Sequence, residues 1–281
     1  MVTSSDDAVA PRPGGVLAGR RILVTGVLTP KSIAYAIAER CQAHGAEVVL
    51  TSFGRAMSLT ERSAKRLDPA PDVLEMDVTD VEQVRTVAAT VRDRWGSLDG
   101  VVHAIGFAPE DCLGGQFLET PWASVATAIE VSSFSLKTLA AEFVPLLPAT
   151  GGALVALTFD GTLAWPLYDW MGPAKAALEA IARYLARDLG PRHVRVNTIS
   201  AGPLETVAAR SIPGFHTLKD AWAGQAPLGW DVADAGPVAD TAVFLLSDMA
   251  RGISGEVVHV DGGYHSQGAP LLASAEQQGE Q

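Results

Sequence analysis

The residues best equipped for chemistry are Tyr168 and Lys175, in the run Tyr168-Asp169-Trp170-Met171-Gly172-Pro173-Ala174-Lys175 that enters an apolar-periodic segment at 176–189. A phenol O–H can donate a hydrogen bond where charge develops on a carbonyl oxygen. A fixed ammonium nearby can hold sugar hydroxyls and make the phenol a better donor. On a helix reaching back to Tyr168, a spacing of seven at about 100° per residue returns Lys175 to within roughly 20° of the tyrosine's face, about 10.5 Å along the axis. Pro173 fits a helix only within the first turn, where its missing N–H is not needed, so Tyr168 is expected just outside the regular helix. Taken alone, the pair reads more simply as a half-buried loop aromatic and a solvated charge, and the rest of the chain decides the matter.

Short β-branched runs alternate with helical patterns from residue 21 onward. Strands are expected at 22–25, 47–51, 73–76, 100–104, 153–157, 195–199 and 257–260, and helices at 32–44, 59–67, 81–95, 122–143, 174–189 and 237–246. Near-continuous apolar strands alternating with helices predict a parallel sheet covered on both faces. The fold class is therefore α/β, a doubly wound, Rossmann-like parallel sheet in a single domain, which binds ligands at the carboxyl ends of its strands. Residues 207–225 show no strong period and are broken at Pro213-Gly214. A segment of that length without firm structure predicts a lid over the substrate.

Several strand ends carry ligand-binding chemistry. Gly26 allows a tight turn after the first strand, and Ser32 is placed as an N-cap facing an anion at the next helix start, although the strict three-glycine dinucleotide motif is absent. After the second strand, Phe53 can stack on an adenine and Arg55 can meet a 2'-phosphate or remain solvated, and no ribose-reading acid follows. Asp77-Val78 offers a carboxylate and a backbone N–H to an adenine edge, or a carboxylate opening the helix at 81. Gly106 permits close backbone approach to a ligand, while His103, alone on an apolar strand end, reads as structural. The turn 200–206 presents backbone and the Thr206 hydroxyl to an amide and a phosphate.

Composition narrows the class of protein. A net charge of −11 over 281 residues argues against a general nucleic-acid or anionic-membrane surface. Two cysteines read as reduced thiols of a cytoplasmic protein rather than a disulfide framework. Residues 1–18 are polar and rich in Pro and Gly without the apolar core of a signal peptide, and read as a disordered leader; 268–281 read as a flexible tail. No run of about 18 apolar residues suggests a membrane span, and no His, Cys or carboxylate cluster has metal-ligand spacing.

Taken together, Thr25-Gly26 with Ser32-Ile33-Ala34, His103-Ala104-Ile105-Gly106-Phe107, Tyr168 and Lys175 with six residues between them, Ala201-Gly202-Pro203 and Asp261-Gly262-Gly263 are specific. The chain, over about 18–267, resembles the bacterial enoyl-acyl carrier protein reductases of the divergent short-chain dehydrogenase/reductase branch. Mainstream relatives space their tyrosine and lysine by three residues, and position 172 here is Gly. The resemblance implies hydride transfer from NADH to Cβ of a 2-enoyl thioester in fatty-acid synthesis, Tyr168 donating to the thioester oxygen and Lys175 holding the nicotinamide ribose. It counts Phe159 with them in the catalytic set. It further implies that Gly26, Ser32, Ile33 and Ala104 line the pyrophosphate and ribose, Phe53, Asp77 and Val78 the adenine, and Ile105, Gly106, Ala201, Gly202 and Thr206 the nicotinamide half. An acyl carrier protein is the implied partner and a homotetramer the implied assembly, with the Asp261-Gly262-Gly263 end near a subunit contact. Arg210 and Lys219 are candidates for steering the acidic carrier. The alternatives are a carbonyl or polyketide-intermediate reductase on the same scaffold and a non-catalytic NAD-binding protein.

Overall fold

The computed structural model describes residues 14–210 and 212–269. One parallel sheet of seven strands runs through them in the order β3-β2-β1-β4-β5-β6-β7. Its strands are β1 Arg21–Thr25, β2 Glu47–Ser52, β3 Val73–Glu75, β4 Gly100–His103, β5 Gly152–Thr158, β6 Val194–Ala201 and β7 Val257–Val260. Each lies within a residue or two of its expected position, because a strand buried on both faces leaves an apolar run legible without its partners.

Helices α1 (Ile33–Ala43), α2 (Met57–Ala64) and α9 (Gly236–Leu246) cover one face of the sheet, packing Ile37, Ala38 and Val238 on Ile22, Val24 and Val155. Helices α3 (Val81–Trp95), α5 (Ser135–Phe143) and α6 (Met171–Leu189) cover the other, where Leu139, Phe143 and Leu178 meet Leu23, Val101 and Leu154. Asp80, not Asp77, opens α3, its carboxylate accepting the Glu82 and Gln83 N–H groups at 3.0 and 3.2 Å. The helix expected over 122–143 is interrupted: α4 (Trp122–Ile129) passes through a π-helical turn, Glu130–Phe134, before α5. Ser133 and Ser135 bond backbone carbonyls there, Ser133 reaching Ala174 O on α6 at 2.6 Å, so the wider turn serves packing against α6.

The expected leader and tail fall mostly outside the described residues. The part of the leader that is described is packed, with Leu17 fully buried and its N–H donating to His44 O at 3.0 Å. One buried leucine in a Pro/Gly-rich stretch carries no periodic signal, which is why the packed chain begins earlier than expected.

The sheet order places β1 beside β4, so successive connections leave β1 in opposite directions and a crevice opens at its carboxyl end. Gly26 and Ala104 form the floor of that crevice. Gly26 has φ +82°, and a Cβ on it would lie 2.0 Å from Ala104 O, so only glycine lets the two strand ends meet. Thr25 locks the junction: its hydroxyl donates to Val102 O and accepts the Ala104 N–H, both at 3.0 Å.

Candidate active site

The first turn of α1 ends this crevice with unpaired donors. Ser32 is the N-cap, but its hydroxyl makes no cap bond to the helix. It turns back instead, accepting the Leu28 and Thr29 N–H groups at 3.1 and 3.0 Å, so it orders the loop rather than the helix start expected of it. With no acidic residue in the first turn either, and with the Tyr35 and Ala36 N–H groups given to Ser32 O, α1 keeps those of Ile33 and Ala34 for an anion. The contrast with the Asp80-capped α3 is chemical: one helix start is closed by its own carboxylate and the other is left open.

The far end of the crevice is built at the β2 and β3 ends. Phe53 is 51% exposed, and the exposed Arg55 follows in the turn Gly54–Ala56. Ser52 pairs with Glu75 in register, and the Glu75 carboxylate accepts the Gly54 N–H at 3.2 Å. An acid therefore does stand at this corner, contributed by β3 and not by the turn after β2. Asp77 is less free than expected, since its N–H donates to Gln83 Oε1 at 3.0 Å and its Oδ1 accepts both groups of Thr79. Val78 beside it is buried.

Near the middle of the sheet, Lys175 is 7% exposed and donates from Nζ to Leu157 O at 2.9 Å. Gly106, past β4 and Ile105, lies beside it, where a Cβ would sit 3.6 Å from Nζ, an ordinary van der Waals contact. Burial pulls the Lys175 ammonium down to about 8, opposed by the carboxylate of Glu179 one turn along α6. Glu179 is buried too and accepts the Thr158 hydroxyl at 2.8 Å and the Gly161 N–H at 3.0 Å, binding the end of β5 to α6. His103 is structural, as expected. The Ser135 hydroxyl donates to Val131 O, so Nε2 of His103 carries the proton of their 2.7 Å bond; burial and then the charge of Lys175 push the imidazole down to about 3, keeping it neutral.

Tyr168 is 5% exposed and lies before α6 rather than on it, between Leu167 at φ +60° and Asp169 at φ +37°. Tyr168 therefore stands just outside the regular helix, as Pro173 in its first turn led one to expect, and helical facing does not relate it to Lys175 because the chain between them turns before it coils. The tyrosine instead joins an aromatic wall: Phe159 meets its ring edge-on at 5.3 Å, and Trp165 and Trp222 pack on Phe159. Burial pushes the phenol above its ordinary value, so it remains a proton-bearing donor. No described residue takes its hydroxyl.

The segment expected to lack firm structure is largely helical, with α7 at Val207–Arg210 and α8 at Phe215–Gln225 meeting around Pro213-Gly214. Only Leu218 and Trp222 of α8 are buried, with polar residues between them, and two anchors make a weak periodic signal. Trp222 stacks on Tyr264 at 3.7 Å, closing α8 over the wall. A Cβ on Gly202 would lie 2.7 Å from Trp230 and 2.8 Å from Trp222 Nε1, so this glycine, beside the buried Ala201, serves the packing of the tryptophans. Thr206 accepts the Ala209 N–H at 3.0 Å, starting α7 while retaining its own hydroxyl proton. Lys219 is paired with Glu205 at 2.9 Å, which removes most of its steering value. Among the described residues no group of three His, Cys, Asp or Glu could hold a metal, and no helix is long and apolar enough to cross a membrane.

A crevice with a glycine floor and an open helix start, a buried lysine near the middle of the sheet and an aromatic wall holding a phenol together define a dinucleotide-dependent reductase of the doubly wound class. The chain matches the family described as Enoyl-(Acyl carrier protein) reductase over residues 26–265, and it belongs to that family. It is 40% identical to the NADH enoyl-[acyl-carrier-protein] reductase of Mycolicibacterium smegmatis, covering 90% of this chain and 98% of that protein. It is likewise 40% identical to the FabI protein of Aquifex aeolicus, covering 90% and 94%, and 41% identical to that of Neisseria meningitidis, covering 89% and 96%.

Proposed function

We propose that the chain is an NADH-dependent enoyl-acyl carrier protein reductase of fatty-acid biosynthesis, acting in the cytoplasm on 2-enoyl thioesters. The observation that carries this reading is the buried phenol of Tyr168, held on an aromatic wall before α6, with the buried Lys175 six intervening residues on. In ketone reduction the oxygen needing a proton sits on the carbon that receives hydride; in an enoyl thioester it lies two bonds further away. A tyrosine set off from the lysine suits the second case. NADH, when bound, supplies the hydride. Tyr168 then donates a hydrogen bond to the thioester oxygen as negative charge develops there. Lys175 offers its remaining ammonium hydrogens to ribose hydroxyls, the α1 start takes the pyrophosphate, and Phe159, Trp165 and Trp222 exclude water. Consumption of NADH with crotonyl-coenzyme A, set against a panel of ketones, tests the reading; turnover of ketones alone would overturn it.

Glu75 supports the choice of NADH. Its carboxylate, anchored on Gly54 beside Phe53, faces the corner where a 2'-phosphate would sit and repels it, while ribose hydroxyls can donate to it. The kcat/KM for NADPH is expected to fall below that for NADH by about tenfold or more, and Glu75→Gln to narrow the gap. NADPH used as well as NADH would contradict this.

The assembly supported by family likeness is a homotetramer. Leu228, 89% exposed, donates its N–H to Gly262 O at 3.1 Å, leaving a large apolar side chain at the chain end where a subunit contact is expected. Light scattering at micromolar concentration is expected to give four copies, and a monomer would refute the assembly.

A further inference from the structure

We propose that Asp169 is a positioning residue for the proposed reaction: its carboxylate locks the turn that carries Tyr168 onto the loop at 112–117. The inference rests on Tyr168 being the donor to the thioester oxygen.

The two segments are far apart in sequence and are sewn together on both sides of the tyrosine. Gly114 N–H donates to Leu167 O at 3.0 Å, and Trp170 N–H to Cys112 O at 3.1 Å. Trp170 Nε1 donates to Phe117 O at 2.9 Å, and its ring stacks on Phe117 at 4.6 Å. The centre of the seam is Asp169, whose Oδ2 accepts the Gly115 N–H at 2.5 Å and the Gln116 N–H at 3.2 Å. Gly114 and Gly115 have φ +89° and +95°, a left-handed course that glycine adopts without strain. Asp169 itself has φ +37°, which Asp and Asn tolerate better than most residues. A left-handed residue on either side of Tyr168 turns its ring inward to Phe159, and such a turn persists only where its surroundings over-determine it. None of these bonds reaches the crevice floor at Gly26 or the lysine; besides the tyrosine, the seam borders the Pro213-Gly214 turn, where a Cβ on Gly114 would lie 3.4 Å from Pro213.

Three substitutions separate the elements of this device. Asp169→Asn keeps an oxygen acceptor and tolerance of the left-handed turn. Asp169→Gly keeps only the turn, and folds without new strain. Asp169→Ala keeps neither. Each is assayed with NADH and crotonyl-coenzyme A, alone and together with Tyr168→Phe, and the NADH dissociation constant is measured separately. Asp169→Gly and Asp169→Ala are expected to lower kcat by about 10- to 100-fold, since small misplacement of a reacting group has effects of that size. Asp169→Asn is expected to stay within about threefold of the parent, and NADH affinity within about twofold in all three. In the Tyr168→Phe background the same changes are expected to have no further effect, because the group they position is gone. Equal losses in both backgrounds, loss of NADH affinity in place of turnover, or an Asn variant as slow as the Gly variant would each overturn the positioning role. Full turnover by Tyr168→Phe alone would instead withdraw the donor on which the role depends, and the two failures are distinguishable in the one set of measurements.

Discussion

Tyr168→Phe is expected to lower kcat by about 10² to 10³, roughly 2.7 to 4 kcal/mol, the usual effect of losing one preorganised donor to a developing oxyanion. The substitution isolates the hydroxyl. Phenylalanine keeps the ring that meets Phe159 edge-on, and Tyr168 gives its hydroxyl to no described residue, so packing and stability should hardly change. NADH affinity should also persist, because the crevice floor, the α1 start and Lys175 are untouched. Burial holds the phenol above its ordinary range, so this donor does not itself shut the reaction off at mildly alkaline pH. Steady-state kinetics on crotonyl-coenzyme A give the answer, and a variant within about threefold of the parent would remove Tyr168 from the mechanism.

Lys175→Ala is expected to raise the NADH dissociation constant by about 10- to 100-fold, the equivalent of the 1.5 to 3 kcal/mol of a charge-assisted hydrogen bond. The same lysine predicts a pH dependence whose sign follows from its environment. Burial lowers its proton affinity to about 8, while bound ribose hydroxyls favour the ammonium form. Affinity for NADH should therefore be level below about pH 8, where the free protein already carries the proton, and weaken as pH rises further, by at most tenfold per unit. Titration calorimetry or fluorescence across this range checks both statements. Unchanged affinity in the variant, or affinity that strengthens with pH above 8, would reassign Lys175.

The elements that carry these two residues were legible because their signals are local. All seven strands are short apolar runs, and the helices between them repeat at intervals a single segment displays. Gly26 follows a strand and precedes a helix, which is enough to mark a close approach. Residues whose partners lie elsewhere in the chain left no such mark. Glu75 reaches the turn at Gly54 because β3 pairs with β2 in one register, and no property of residue 75 within its own segment announces Gly54 as its partner. Asp169 looks like a solvated turn residue until residues 112–117 are folded against it. Trp222 anchors α8 by stacking on Tyr264, so a segment without strong period becomes a helix through a contact made across the fold. The sequence by itself determined the sheet, its covering helices and the chemical identity of the phenol and the ammonium, since backbone pairing and hydrophobic period are properties of neighbours. Where the phenol points was decided only by tertiary structure: two left-handed residues, disfavoured by their own sterics, hold that turn only because bonds from a distant loop outweigh the strain.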